Sequence, residues 1–209
     1  MKKVLKILTL IMLIFTIIKI GDTYSKYYSS AHTNTLTQDI GEWVIKVNEL
    51  DIYAENGECV QFTLHKFNNF LNENASPDKI APSSKGYTDI AINPEGTDVA
   101  IRYDIQLDLS AITDKGINAD AWLEIQSPTA NMQFKRTEEN TYSGTISLTD
   151  VQASEIATIR CYVEWLNDET KNQQDTVLGT KTERETIEIP VTVTVTQYLG
   201  EEIVEYVET

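Results

Sequence analysis

From Trp43 onward apolar residues recur at every second position, the period of a strand with one face in a core and the other in water. The longest run is unbroken: Val99, Ile101, Tyr103, Ile105, Leu107 and Leu109 alternate with Ala100, Arg102, Asp104, Gln106 and Asp108. Ile187, Ile189, Val191, Val193 and Val195 alternate in the same way with Glu188, Pro190, Thr192, Thr194 and Thr196. Proline has no N–H to donate, so Pro190 places that strand at a sheet edge or marks its beginning. Shorter runs predict strands at Trp43–Val47, Val60–Leu64, Thr88–Ile92, Trp122–Ile125, Tyr142–Leu148, Ile156–Trp165 and Ile203–Val207. Only Phe67–Asn74 and Ile112–Asp120 tolerate a helix. About eight short strands separated by turns predict an all-β fold, a single β-sandwich of jelly-roll or Greek-key type. Its expected core holds Trp43, Ile45, Val47, Phe62, Ile101, Tyr103, Ile105, Leu107, Ile159, Val163, Trp165, Val191 and Val193.

The first twenty-five residues follow a different pattern. Lys2, Lys3 and Lys6 precede an apolar run from Ile7 to Ile18, broken only by Thr9 and Thr16 and ended by Lys19, Gly21 and Asp22. A membrane-spanning helix needs about 20 apolar residues, so the run fits a secretory signal peptide better than an uncleaved anchor. Thr23 and Ser25 offer small side chains at the −3 and −1 positions, which predicts cleavage between Ser25 and Lys26. The expected organisation is a signal peptide at 1–25, an extended polar arm at 26–40 and a sandwich at 41–209. The mature chain is expected to be secreted, touching membrane only before cleavage. Without an L-P-x-T-G signal it is expected to be released or held by assembly rather than anchored by a sortase.

Charge narrows the partners. Lys2, Lys3, Lys6, Lys19 and Asp22 leave with the signal, so the chain's 17 basic and 32 acidic side chains fall to 13 and 31, net −18. That field repels phosphate backbones and anionic lipid, and argues against a nucleic-acid partner. Two cysteines, Cys59 and Cys161, make no disulfide-dense scaffold. They can pair with each other, although alternation sets Cys161 on an apolar face with Ile159, Val163 and Trp165, and Cys59 on a polar one with Gln61, Thr63 and His65.

Candidate chemistry is sparse. The two histidines, His32 and His65, lie in no H-E-x-x-H pattern, and there is no G-x-S-x-G elbow or phosphate-cradling glycine loop. No catalytic residue is assigned and no enzyme activity is expected. The densest set of oxygen donors runs from Asn167 to Asp175. Asn167, Asp168, Asn172 and Asp175 could contribute to a calcium site, but the stretch lacks the EF-hand order and reads first as a solvated loop between strands. Asn74-Ala75-Ser76 fits the N-glycosylation triplet. Exposed aromatics such as Tyr53, Tyr87 or Tyr142 could stack on sugar rings, giving a second reading as a module for carbohydrate or another cell-wall ligand.

Three patches carry a resemblance. They are Gly21-Asp-Thr-Tyr-Ser25-Lys-Tyr with Trp43-Val-Ile-Lys-Val-Asn48; Ile80-Ala-Pro-Ser-Ser-Lys-Gly86-Tyr with Asn93 and Gly96; and Tyr162-Val-Glu-Trp165 with Asp175-Thr-Val-Leu-Gly179 and Ile189-Pro-Val-Thr-Val-Thr-Val. Together they resemble the secreted Gram-positive proteins with a SipW-dependent type of signal peptide, the group of TasA and camelysin. The resemblance implies a jelly-roll-like sandwich processed by a dedicated signal peptidase, with self-association or related matrix subunits as partners. It further implies a biofilm matrix fibre in which the freed N-terminal segment completes the sheet of the next subunit. Ser25 stands where Ala is more usual. Camelysin-type members are described as metalloproteases, but no zinc motif stands in this sequence and no cofactor is expected.

Overall fold

A computed structural model describes residues 12, 42–52, 59–71, 75 and 79–208. The expected signal, arm and cleavage point, as well as Tyr53 and most of the glycosylation triplet, lie outside the described residues. By its contacts the chain divides into a unit Met1–Ile40 and a unit Gly41–Thr209.

The second unit is the expected all-β sandwich. Its strands are β1 (Lys46–Val47), β2 (Leu50–Asp51), β3 (Cys59–Leu64), β4 (Asn68–Leu71), β5 (Lys85–Asn93), β6 (Ile101–Leu107), β7 (Ala119–Gln126), β8 (Gln133–Glu138), β9 (Thr141–Ile146), β10 (Ala157–Trp165) and β11 (Ile189–Gln197). One antiparallel sheet runs β2-β1-β5-β10-β7, with β4 also on β5. The other runs β3-β11-β6-β9-β8. Apart from the pairs β1–β2, β4–β5 and β8–β9, each strand passes to the opposite sheet from the strand before it. The core is therefore knit mostly from contacts distant in sequence.

Alternation does what the sequence promises. In β6 and β10 every second side chain is buried, with Ile101, Tyr103, Ile105, Ile159, Cys161 and Val163 fully enclosed. Burying each large aliphatic contributes roughly 1.5–3 kcal/mol. Of the expected core, Trp43 and Phe62 are only half-buried. Trp43 precedes β1, and Phe62 lies on an edge strand whose outer flank no described strand covers.

Several boundaries differ from expectation. Phe67–Asn74 is not helical where it is described, because Asn68–Leu71 pairs with β5. Ile112–Asp120 yields only helix α1 (Ser110–Thr113), and β7 begins at Ala119. Helix α2 (Leu148–Gln152) takes the end of the expected Tyr142–Leu148 strand; Ser147 caps it, its Oγ accepting from Asp150 N–H and donating to the Asp150 carboxylate. Helix α3 (Asn172–Thr180) follows a 3-10 turn, Glu169–Lys171. Ile203–Val207 forms no strand. It is a strap on the second sheet: Ile203 is 1% exposed, its carbonyl accepts from Lys135 Nζ at 3.0 Å, and Tyr206 N–H donates to the Arg136 carbonyl of β8 at 2.8 Å.

Pro190 marks the beginning of β11, which is an inner strand. Its carbonyl accepts from Asp108 N–H at 2.9 Å, on the β6 side. The missing N–H therefore faces β6 as well, and the ladder to β3 is intact.

Candidate functional site

The oxygen-rich stretch is mostly exposed and joins two strands, as its polarity suggested, but it is a 3-10 turn and a helix rather than a loop. Asp168 Oδ1 accepts from Thr170 N–H at 2.9 Å and from the Thr170 hydroxyl at 2.7 Å. These bonds lower the pKa of Asp168 and commit its carboxylate to starting the 3-10 turn. Asn167 is exposed. The carbonyl of Asn172 accepts the Thr176 hydroxyl within α3. Both carboxylate oxygens of Asp175 are shielded from solvent and have no hydrogen-bond partner among the described residues. Asp168 and the Asn172 carbonyl are thus engaged locally. Among the described residues, no group of three or more His, Cys, Asp or Glu side chains is arranged to hold a metal.

The cysteines are both free. Cys161 points into the core from the first sheet, where burial pushes its thiol up to about 12. Cys59 stands on β3 of the second sheet, at an outward-pointing position of the alternation. Parity, read from sequence, separates them as observed. His65 is exposed; its Nδ1 lies 3.0 Å from the carbonyl of Thr63, to which an Nδ1–H donates. Among the described residues, no helix is long and apolar enough to cross a membrane.

The sheet edges offer the first surface with recognition chemistry. Antiparallel pairing turns successive backbone groups alternately toward one neighbour and the other. Because Pro190 faces β6, Val191 and Val193 face β3, where they are registered with Phe62 and Val60. Cys59, Gln61 and Thr63 consequently aim their backbone groups at the open side of β3. No described strand pairs there. The strand reads Cys-Val-Gln-Phe-Thr-Leu, without a charge or a proline. The opposite edge, β8, carries Lys135, Arg136 and Glu138 and is met by the strap at Arg136. The β7 edge carries Asp120 and Glu124.

The second surface is the outward face of the first sheet. Register places Tyr162 of β10 directly between Tyr87 of β5 and Trp122 of β7. Trp122 and Tyr162 stack with ring centroids 5.4 Å apart at 20°, and Tyr87 tilts against Tyr162 at 6.2 Å. The Lys85 ammonium hangs 4.4 Å over the Trp122 ring and 5.0 Å over Tyr162. The Arg160 guanidinium lies 3.9 Å over Tyr87 and is clamped by Asp89 at 2.7 and 2.9 Å, which raises its already high pKa. Trp122 Nε1–H donates to Glu124 at 3.0 Å. Of the aromatics singled out by sequence, Tyr87 is on this face. Tyr142 is not: it points inward from β9, 7% exposed, stacked on Phe134. Sequence reasoning missed Trp122 and Tyr162 as surface groups, although each sits at the polar parity of its strand.

Comparison with family models, with curated proteins and with solved structures found no match to this chain.

Proposed function

We propose that this chain is a secreted structural protein, a subunit of an extracellular matrix or fibre that assembles by β-strand donation. The observation that carries this reading is the unguarded edge of β3. Soluble sandwiches usually blunt such edges with charges, prolines or a covering segment, because unpaired N–H and C=O groups template a further strand. The other two long edges have charges, and β8 also has the strap; β3 has no charge and, among the described residues, no covering segment. A strand added there would cover the open flank of Phe62 and take up the outward groups of Cys59, Gln61 and Thr63.

The donor in this reading is the arm, residues 26–40, of another copy. Its Ser/Thr-rich, aliphatic-poor sequence suits an extended segment that gains its affinity through the backbone. Signal peptidase cleavage between Ser25 and Lys26 releases it from the membrane. Partners are then further copies or related matrix subunits. An excess of 31 acidic over 13 basic residues disfavours nucleic acid.

Gln61→Pro tests the acceptor. It removes an N–H that faces away from β11, so the fold is retained while strand addition is blocked. Electron microscopy of the purified mature protein should show filaments for the wild type. Gln61→Pro and a deletion of residues 26–38 should both give folded monomers. Filaments that persist in both variants, or none from the wild type, reject the mechanism.

A further inference from the structure

We propose that the outward face of the first sheet is a binding site for neutral polysaccharide, on which Tyr162 and Trp122 stack against sugar rings beside the Arg160-covered Tyr87. This surface is separate from the β3 edge, and the proposal stands or falls independently of fibre formation.

The outward positions of an exposed sheet face are expected to be polar, and most of this one conforms. On β5, β10 and β7 the other outward residues are charged or hydrogen-bonding, apart from Ala91. Three aromatic rings at one register level break that rule. Each of the three residues is only half-buried; the clamped Arg160 guanidinium lies over Tyr87, and, among the described residues, Lys85 alone lies over Tyr162 and Trp122. Cross-strand aromatic contact alone stabilises a sheet, but a pair suffices for that, and it does not call for the charged groups arranged around this row. Sugar binding calls for both: flat apolar area for the C–H face of a pyranose, and fixed polar groups at its rim for the hydroxyls.

The rim is in place. On one side Asp89 and Arg160 hold each other in a two-bond clamp, and Glu124 is fixed by the Trp122 indole. On the other lie Lys85, Glu164 and Asp120, registered with one another across the three strands. Lys85 covers two of the rings, but it is exposed and its hold is a surface cation–π contact, which is weak. A sugar can displace the ammonium sideways and accept a hydrogen bond from it. The row reaches β7, the last described strand of the sheet, at Trp122 and meets Asn68 of β4 beyond Tyr87. With strands about 4.8 Å apart, the line from Asn68 to Trp122 spans about three such steps, enough for a few linked sugars running across the strands.

Charge selects the ligand class. Lys85 and Arg160 face four carboxylates, Asp89, Glu124, Glu164 and Asp120, on a chain with a large acidic excess. A uronic-acid or phosphate-bearing polymer is repelled, whereas a neutral glycan is not.

The test titrates the wild-type mature protein with neutral β-linked hexasaccharides of glucose and of N-acetylglucosamine, and with an oligogalacturonate, following backbone amides by NMR and tryptophan fluorescence. A neutral hexasaccharide should shift amides of β5, β7 and β10 and leave those of the second sheet in place. Trp122→Ala and Tyr162→Ala should each weaken binding at least tenfold while the protein remains folded, at a small cost in thermal stability from the lost ring contacts. The amide map needs no variant, so it decides even where a variant fails to fold. Absence of binding by both neutral sugars, amide shifts confined to another surface, undiminished binding by the folded Trp122→Ala protein, or preference for the oligogalacturonate would each overturn the proposal.

Discussion

Tyr103, Gly144 and Phe134 show how one position can depend on its neighbours across strands. They stand side by side on β6, β9 and β8, and the Tyr103 ring lies over Gly144 to stack with Phe134 at 6.3 Å. A Cβ at residue 144 would collide with that ring. Tyr103 is completely buried and cannot swing aside, so Gly144→Ala should cost about 3 kcal/mol or more, as overpacking does in a close-packed core. The Tyr103 hydroxyl has no partner among the described residues. Tyr103→Phe should accordingly be neutral or stabilising by up to about 1 kcal/mol; urea melts of the two variants check both signs. Burial raises the pKa of Tyr103 as well, and that of Cys161 from 9.0 to about 12. For these acids the unfolded chain loses its protons first. Their stabilisation is whole below the unfolded values and is lost as the pH climbs through about 9 to 12, so unfolding free energy should fall across that window. Native protein should react with a thiol reagent at Cys59 alone. The inward set, from Ile45 to Val193, was legible because alternation is a local signal. Gly144 was not, since its need for a bare Cα is imposed by a ring forty-one positions away.

Among the elements, strands with apolar residues on one parity were readable and the others were not. β8 reads Gln-Phe-Lys-Arg-Thr-Glu, with a single apolar side chain, and is held in the sheet by β9 rather than by its own pattern. α2 left a trace that could have been used: Ser147 followed three residues later by Asp150 is a capping arrangement. α3 left almost none, because no residue in it is fully buried. The stretch 203–207 has a strand's composition but ends as a strap, bonded at one backbone point to β8 and seated through Ile203. Deleting one methylene and two methyl groups there by Ile203→Ala should cost about 2–4 kcal/mol. Val204→Ala, at a side chain 72% exposed, should change stability by less than about 0.5 kcal/mol. Equal losses in thermal melts of the two would mean that the strap is not anchored by Ile203.

For the whole molecule, composition and period settled the sandwich class, while sheet membership was beyond reach. Strands adjacent in sequence lie mostly in opposite sheets, and nothing local records which crossing each loop makes. The candidate surfaces were hidden for the same reason: Trp122, Tyr162 and Tyr87 become one row only through register. Charge, by contrast, is a whole-chain property that sequence states directly. If the chain is cleaved after Ser25 as proposed, 13 basic stand against 31 acidic side chains. Subunits of the proposed fibre would then repel one another at neutral pH, so strand addition would work against that field. Salt and divalent cations screen it, and protonation removes it as the pH falls toward about 4.5, where ordinary carboxylates begin to titrate. Asp168, hydrogen-bonded by Thr170, and Glu185, paired with Lys181, have lowered pKa values and so hold their charge below the ordinary carboxylate range. Self-association should therefore strengthen on acidification or on adding calcium at neutral pH. It should do so through the β3 edge, so Gln61→Pro should stay monomeric under every condition that assembles the wild type. Light scattering from pH 8 to 4.5, with and without calcium, reads this directly. Acid-driven growth of equal extent in the Gln61→Pro protein would mean that the association is isoelectric aggregation rather than strand donation.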